Sequence, residues 1–195
     1  YSKEYIIWSV EKSLKDLHTP YLDLLLLHRP SPLMHPNEIA AAVSVLKESG
    51  KILDFGVSNF SPSQLSLLDN KTAVSVNQIE FSLTQHSAMH NGVLDQLLQK
   101  KILPMSWSPL GSFFKEATKT NTRIKKVLDT FTNKYNATED QILLAWILKH
   151  PSGVIPVVGT TSKVRLQNAV KALDIELDLE DWFTLLVECQ GHKVP

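Results

Sequence analysis

The chain of 195 residues is 43% hydrophobic and sets 20 Lys and Arg against 20 Asp and Glu, for a formal net charge of zero. That much apolar material can fill the core of one domain of ordinary size, and the balanced charge leaves no electrostatic footprint for nucleic acid or an anionic membrane surface. No apolar run nears the ~20 residues of a membrane span, no basic-then-apolar segment occurs at the start, and the one cysteine, Cys189, has no partner for an internal disulfide, so a soluble cytoplasmic protein is expected.

Ile6, Ile7, Val10, Leu14 and Leu17 recur on one face at helical spacing, so the chain opens in a helix. The stretch "YLDLLLLHRPSP" then sets four leucines against His28, Arg29 and two prolines. A continuous apolar run reads as a strand over 22–28, buried on both faces of a parallel sheet, and in α/β folds reacting groups stand where such strands end. His28, titratable near neutral pH, is therefore a candidate site residue. Taken alone it reads more readily as a core or surface histidine capped by the turn that follows.

"HPNEIAAAVSVLKESGK" has Pro36 near a helix start and Gly50 past its end, and "ILDFGVS" follows as a strand. Ser61 can cap a helix whose first residue is Pro62, and the β-branched run "AVSVNQIE" makes a third strand. A helix at about 92–100 leads to a fourth strand in "ILPMSWSPLG". "FFKEATKTNTRIKK", with Lys115, Lys119, Arg123, Lys125 and Lys126, reads for most of these residues as a solvated basic loop, the alternative being a phosphate clamp. "NATEDQILLAWILKH" carries a capping box at Thr138 and Gln141, "GVIPVVG" makes a fifth strand, and helices at about 161–172 and 178–189 complete the pattern.

Helices alternating with apolar strands over short connections predict an α/β fold, a parallel sheet with helical cover, in one domain over 1–195. Periodicity does not encode whether the sheet is open or closed, and the missing G-x-G-x-x-G weighs only weakly against a Rossmann sheet. In "VVGTTSKVRLQN" a strand passes through glycine into a helix start, which points backbone N–H groups and a positive dipole end at an anion. Gly159, Thr160, Thr161 and Ser162 can supply such donors, and ordinary helix capping explains the hydroxyls about as well.

In "LDLLLLHRP", "GKILDFGVSNF", "VNQIEFSL", "SWSPLGS" and "IPVVGTTSKVRLQNAVKAL" the chain resembles the aldo-keto reductase superfamily, in that family's order and over nearly its whole length. Within the family it is similar to bacterial oxidoreductases of the YdhF type, which share the "HRPSPLM" style of strand ending and a short "VP" terminus. The resemblance implies a (β/α)8 TIM barrel that reduces carbonyls with NADPH and needs no metal. The five readable strands would be strands four to eight, so the expected fold is an incomplete barrel lacking the first three, with on the order of a hundred further N-terminal residues in the natural protein. Such a fragment would expose open sheet edges and is not expected to fold alone.

By the same resemblance, the proton-donating tyrosine and its lysine and aspartate partners lie on the missing strands. Tyr1, Tyr5, Tyr21 and Tyr135 match none of these positions, so the fragment itself is expected to be inactive. His28 matches the family's histidine, which holds the substrate carbonyl oxygen in line for hydride attack. Ser58, Asn59 and Gln78 match positions that bind the nicotinamide carboxamide, although Ser-Asn before a helix is also a common turn. Trp107 stands where an aromatic ring stacks on the nicotinamide, its alternative being a rim residue of the core. Ser108, Leu110 and Gly111 would hold the pyrophosphate, the glycine allowing close approach. Lys163 and Arg165 would reach the adenosine 2′-phosphate, with Asn168 one turn on.

The expected function is therefore NADP-dependent reduction of aldehydes or ketones to alcohols, on a small-molecule carbonyl substrate. The alternative is a catalytically silent aldo-keto reductase-like protein that binds a nucleotide. Neither a nucleic acid nor a membrane partner is expected, and oligomeric state leaves no signature.

Overall fold

A computed structural model describes residues 1–193; the "VP" ending, Val194 and Pro195, lies outside the described residues. Five strands follow one another in the sheet order β1-β2-β3-β4-β5. The chain divides into two units, one of Tyr1–Ile79 with Gly92–Pro104, the other of Glu80–Asn91 with the residues from Met105 on. No helix among the described residues is long and apolar enough to cross a membrane.

The first unit begins with α1 (Lys3–Leu17), where the Ser2 hydroxyl accepts the Tyr5 N–H at 3.2 Å and Ile6, Val10 and Leu14 form the buried face. Strand β1 (Leu22–Leu27) leads to α2 (Pro36–Glu48), with Pro36 at its start as the sequence predicts, and then to β2 (Ile52–Ser58). Helix α3 (Pro62–Asp69) opens on a capping box in which Ser61 accepts the Gln64 N–H and the Gln64 amide oxygen accepts the Ser61 N–H. β3 (Val76–Glu80) and α4 (Val93–Lys100) follow, and β1, β2 and β3 pair in parallel.

Strand β1 corrects the reading of a run buried on both faces. Of its four consecutive leucines only Leu27 is buried, while Leu24, Leu25 and Leu26 remain partly exposed. β1 is first in the sheet order, so among the described residues it has β2 on one side and no strand on the other. It ends at Leu27, which places His28 as the first residue beyond it.

In the second unit, β4 (Leu103–Trp107, whose first two residues belong to the first unit) pairs in parallel with β5 (Ile155–Pro156) through Met105 opposite Ile155 and Ser106 opposite Pro156. The expected strand over "GVIPVVG" thus shortens to two residues. Pro156 has no N–H to continue a ladder, although the Val157 N–H still reaches the Ser106 carbonyl at 2.8 Å.

The larger correction is the segment read as a basic loop. Lys119–Lys134 is a 16-residue helix, α5, with Ile124, Leu128 and Phe131 buried and the Thr118 hydroxyl accepting the Asn121 N–H. These apolar residues and the buried Asn121 form the inner face, and the lysines of the helix are exposed. Lys125 pairs with Asp129 and Glu139, and the part-buried Arg123 donates to the Glu188 and Cys189 carbonyls at the end of the chain's last helix.

Helix α6 (Glu139–Leu148) is buried from Gln141 through Ile147, so it reads as apolar on every side. Helix α7 (Lys163–Val170), a 3-10 turn at Lys171–Asp174 and α8 (Leu179–Gln190) complete the unit. Trp146 of α6 and Trp182 of α8 stack at 4.8 Å and 4°, and each indole N–H donates to the other residue's carbonyl, at 3.1 and 2.9 Å. Tyr135, just past α5, donates its hydroxyl to Asp181 and accepts the Asp178 N–H at 3.0 Å, while Lys134 pairs with both aspartates at 2.7 Å.

Gly56 shows how tightly the first unit is fitted. It faces Leu26 in β1 and Val76 in β3, and a Cβ there would lie 2.6 Å from Leu26 Cδ2 and 2.7 Å from the Val76 carbonyl oxygen. Gly56→Ala is therefore expected to destabilise the fold by about 1–3 kcal/mol through overpacking. Chemical denaturation measures this directly, and an unchanged midpoint would show that the sheet opens at no cost.

Candidate functional site

The second unit contains a cavity of about 730 Å³ whose walls come from the turn after β4, the segment after β5, and helices α6 and α7. The turn is sharp: Ser108 (φ 48°) and Gly111 (φ 55°) both take left-handed conformations, and the Gly111 N–H donates to the Ser108 carbonyl at 2.8 Å. Glycine is required at 111 for a second reason. A Cβ there would fall 2.0 Å from Thr84 Oγ1 and 2.5 Å from Ser82 Oγ, so the close approach it permits is that of these two side chains.

Thr84 and Asn121 hold the loop that continues from this turn and supplies Phe114 and Lys115 to the cavity wall. The Ser112 N–H donates to Thr84 Oγ1 at 3.0 Å. Asn121, only 5% exposed, donates its Nδ2 to the Ser112 carbonyl at 3.1 Å and the Glu116 carbonyl at 2.7 Å. A carboxamide serves here because one NH2 group can satisfy two carbonyls of an irregular loop.

On the opposite wall, Arg165 and Asn168 come from α7 and Asp140 and Leu144 from α6. The α7 start is capped locally: Ser162 Oγ accepts the Arg165 N–H at 3.4 Å, and Thr160 Oγ1 accepts the Ser162 N–H at 3.1 Å. Asn168 is already engaged with α6. Its Nδ2 donates to Thr138 Oγ1 at 2.9 Å and to both Asp140 oxygens at 3.3 and 3.1 Å, and its Oδ1 accepts from Gln141 Nε2 at 2.8 Å. Arg165 and Lys115 make no ion pair among the described residues, which leaves two cations available to the cavity.

Of the residues singled out in the sequence, Ser108, Leu110, Gly111, Gly159, Thr160, Arg165 and Asn168 line this cavity, whereas Trp107, Thr161, Ser162 and Lys163 do not. The first unit brings Ser58, Asn59 and Gln78 together: the Gln78 carbonyl accepts both the Ser58 hydroxyl at 2.9 Å and the Asn59 N–H at 2.8 Å. Asn59 sits at φ 60° and donates its side-chain amide to Ser58 Oγ at 3.1 Å. His28 is exposed beyond β1, and the Tyr1 hydroxyl donates to the neighbouring Arg29 carbonyl at 2.6 Å. Arg29 has no carboxylate partner among the described residues.

Tyr135 is ill suited to proton donation, since burial and the Asp181 hydrogen bond push its pKa up. Asp140, Thr84 and Asn121 were not identified from the sequence. The Thr-x-x-Asn spacing of Thr118 and Asn121 is the one local sign of the α5 start.

The model of the aldo/keto reductase family matches residues 1–186. The chain belongs to the aldo/keto reductase family. It is 40% identical over 199 residues to the uncharacterized oxidoreductase YcsN of Bacillus subtilis (strain 168), covering 100% of this chain and 66% of that one. It is 37% identical over 196 residues to the oxidoreductase YdhF of Escherichia coli (strain K12), covering 99% and 66%. A 6-dehydroglucose reductase of Agrobacterium fabrum is 38% identical over 190 residues, covering 95% and 63%. The chain thus spans about two thirds of the length of these relatives. A crystal structure of a thermostable aldo-keto reductase with the inhibitor epalrestat superimposes with a TM-score of 0.87 at 25% identity, over 96% of this chain and 67% of that one. Membership of the aldo/keto reductase family accounts for the parallel five-stranded sheet.

Asn121→Ala would leave the Ser112 and Glu116 carbonyls without their donor in a part-buried setting. The expected cost is about 1–3 kcal/mol. It is read as a drop of roughly 2–4 °C in melting temperature per kcal/mol for a chain of this size. An unaltered melting temperature would show that the loop does not depend on this residue.

Proposed function

We propose that these residues are the cofactor-binding part of an NADP-dependent carbonyl reductase, corresponding to strands four to eight of a (β/α)8 barrel and acting in the reducing cytoplasm on small aldehydes or ketones. The observation that carries this reading is the cavity beside the α7 start, where Lys115 and Arg165 stand without anionic partners among the described residues. Cations left unpaired around a concave site call for an anionic ligand, and the tight turn at Ser108–Gly111 and the N–H groups of a helix start suit phosphate oxygens. A volume of about 730 Å³ falls within the range of small-molecule and cofactor sites.

The donor set fits a dinucleotide. Ser108, Leu110 and Gly111 would hold the pyrophosphate; Gly159 and Thr160 would frame the phosphate side of the α7 start, which Ser162 caps; Arg165 would meet the 2′-phosphate, without Lys163, which lies outside the cavity lining. Asn168, whose amide hydrogens are committed to α6, would act by placing that helix. Ser58, Asn59 and Gln78 would orient the nicotinamide carboxamide, with Trp107 against the ring. A bound NADPH would supply the hydride for the carbonyl carbon. His28 would hold the carbonyl oxygen, and the proton that completes the alcohol would come from a tyrosine outside these 195 residues. An NADPH-dependent alpha-keto amide reductase of Saccharomyces cerevisiae, 29% identical over 180 residues, supports the choice of nucleotide.

Two substitutions test the assignment in the intact protein. Arg165→Ala is expected to weaken NADPH more than NADH, by roughly ten- to a hundredfold for the loss of one charge-assisted contact. Equal weakening of both in a binding titration would make Arg165 a structural residue. His28→Ala is expected to lower turnover by roughly ten- to a thousandfold with NADPH affinity nearly unchanged. Normal carbonyl reduction by a folded His28→Ala protein would remove His28 from the site.

A further inference from the structure

The cavity contains one acidic lining residue, Asp140, that phosphate binding does not use and that electrostatics would keep away from phosphate. Its place in the first turn of α6 suits the helix dipole, which accounts for an acid there but not for its facing a cavity. The carboxylate is held from two sides: Thr138 Oγ1 donates to Oδ1 at 2.6 Å, and Asn168 Nδ2 reaches Oδ1 at 3.3 Å and Oδ2 at 3.1 Å. Two donors leave part of an ionised carboxylate's roughly four lone-pair sites unused. Neither Lys115 nor Arg165 closes on it, although all three line the same cavity.

A cavity with unpaired charges of both signs suits a ligand that carries anionic groups and a hydrogen-bond donor at separate points. Resting on the NADP reading above, we propose that Asp140 is a specificity-determining residue that accepts a hydrogen bond from a neutral donor on the adenosine part of the nucleotide. The location follows from the helix: Asn168, which holds the carboxylate, lies three residues after Arg165, the residue assigned above to the phosphate on the adenosine ribose. Asp140 therefore favours an adenosine nucleotide in two ways. It rewards a donor on the ribose or base, and it penalises an occupant that is phosphate alone.

The test compares adenosine 2′,5′-bisphosphate, inosine 2′,5′-bisphosphate and inorganic tripolyphosphate by calorimetric titration of the intact wild-type protein and of Asp140→Asn. The variant keeps the size of the side chain and removes its charge, and a melting temperature near wild type confirms that the α6 start is intact. The preference for adenosine bisphosphate over tripolyphosphate is expected to fall about tenfold or more in Asp140→Asn, the scale of one hydrogen bond to a charged group. If wild type binds the inosine compound more weakly than the adenosine one and the variant loses that difference, the donor is the base amino group. If both bases bind wild type alike while the preference over tripolyphosphate still falls, the donor is a ribose hydroxyl. An unchanged preference in a folded variant overturns the role of Asp140. Wild type that binds none of the three overturns the nucleotide reading itself, and is distinct from that result.

Discussion

The hydrogen bonds of one side chain, Asn168, fix the wall on which the candidate site depends. Its amide hydrogens go to Thr138 and Asp140 and its oxygen accepts from Gln141, which also donates to the Asn168 carbonyl at 2.9 Å. Gln141 is 5% exposed, and a buried carboxamide left without partners would cost free energy comparable to the bonds it lacks. The α7 start is thereby held against the α6 start, and Arg165, one turn earlier on α7, is carried to the cavity by that constraint. Because the same residues cap α6, through the Thr138 N–H donated to Gln141 Oε1 at 2.9 Å, loosening one helix start would loosen the other.

Behind this wall the second unit is braced by aromatic packing. Phe81 lies 5.7 Å from Trp146, whose other neighbour is the stacked Trp182, and the reciprocal indole-to-carbonyl bonds prevent either ring from leaving a buried N–H unpaired. The ionic latch of Lys134 and Tyr135 on Asp178 and Asp181 fixes the end of α5 to the start of α8. Cys189 lies within this packing, its thiol donating to the Leu83 carbonyl and its pKa pushed up to about 11 by burial, so it serves as a core side chain and not as a nucleophile.

What the sequence revealed was whatever is written locally. Pro36, Ser61 with Pro62, and the Thr138 and Gln141 pair announce their helices because capping acts within four residues. The α5 helix is not legible in the sequence because Lys and Thr dilute its three buried apolar residues and an ion pair of Lys125 reaches another element. Leu24 to Leu26 misled because apolar content signals a preference for burial, whereas β1 stands first in its sheet. Pro156 cut short a strand that hydrophobicity alone would have extended. Asp140 meets Asn168 across 28 positions, and Asn121 meets its carbonyls through a loop of irregular shape, so neither role has a local signature. The family segments placed candidate residues on this chain, but only the folded arrangement separates those that line the cavity from those, such as Lys163, that stand outside it.

The central claim is that the cavity between the turn at Ser108–Gly111 and the α7 start receives a phosphate-bearing nucleotide. Amide hydrogen exchange of the intact protein with and without NADP+ measures this most directly, because it reads the backbone N–H groups on which the claim rests. The account predicts slowed exchange over 108–115 and 159–168, while amides in α1 and α2 are unaffected. Tight NADP+ binding with no protection in either segment would contradict it.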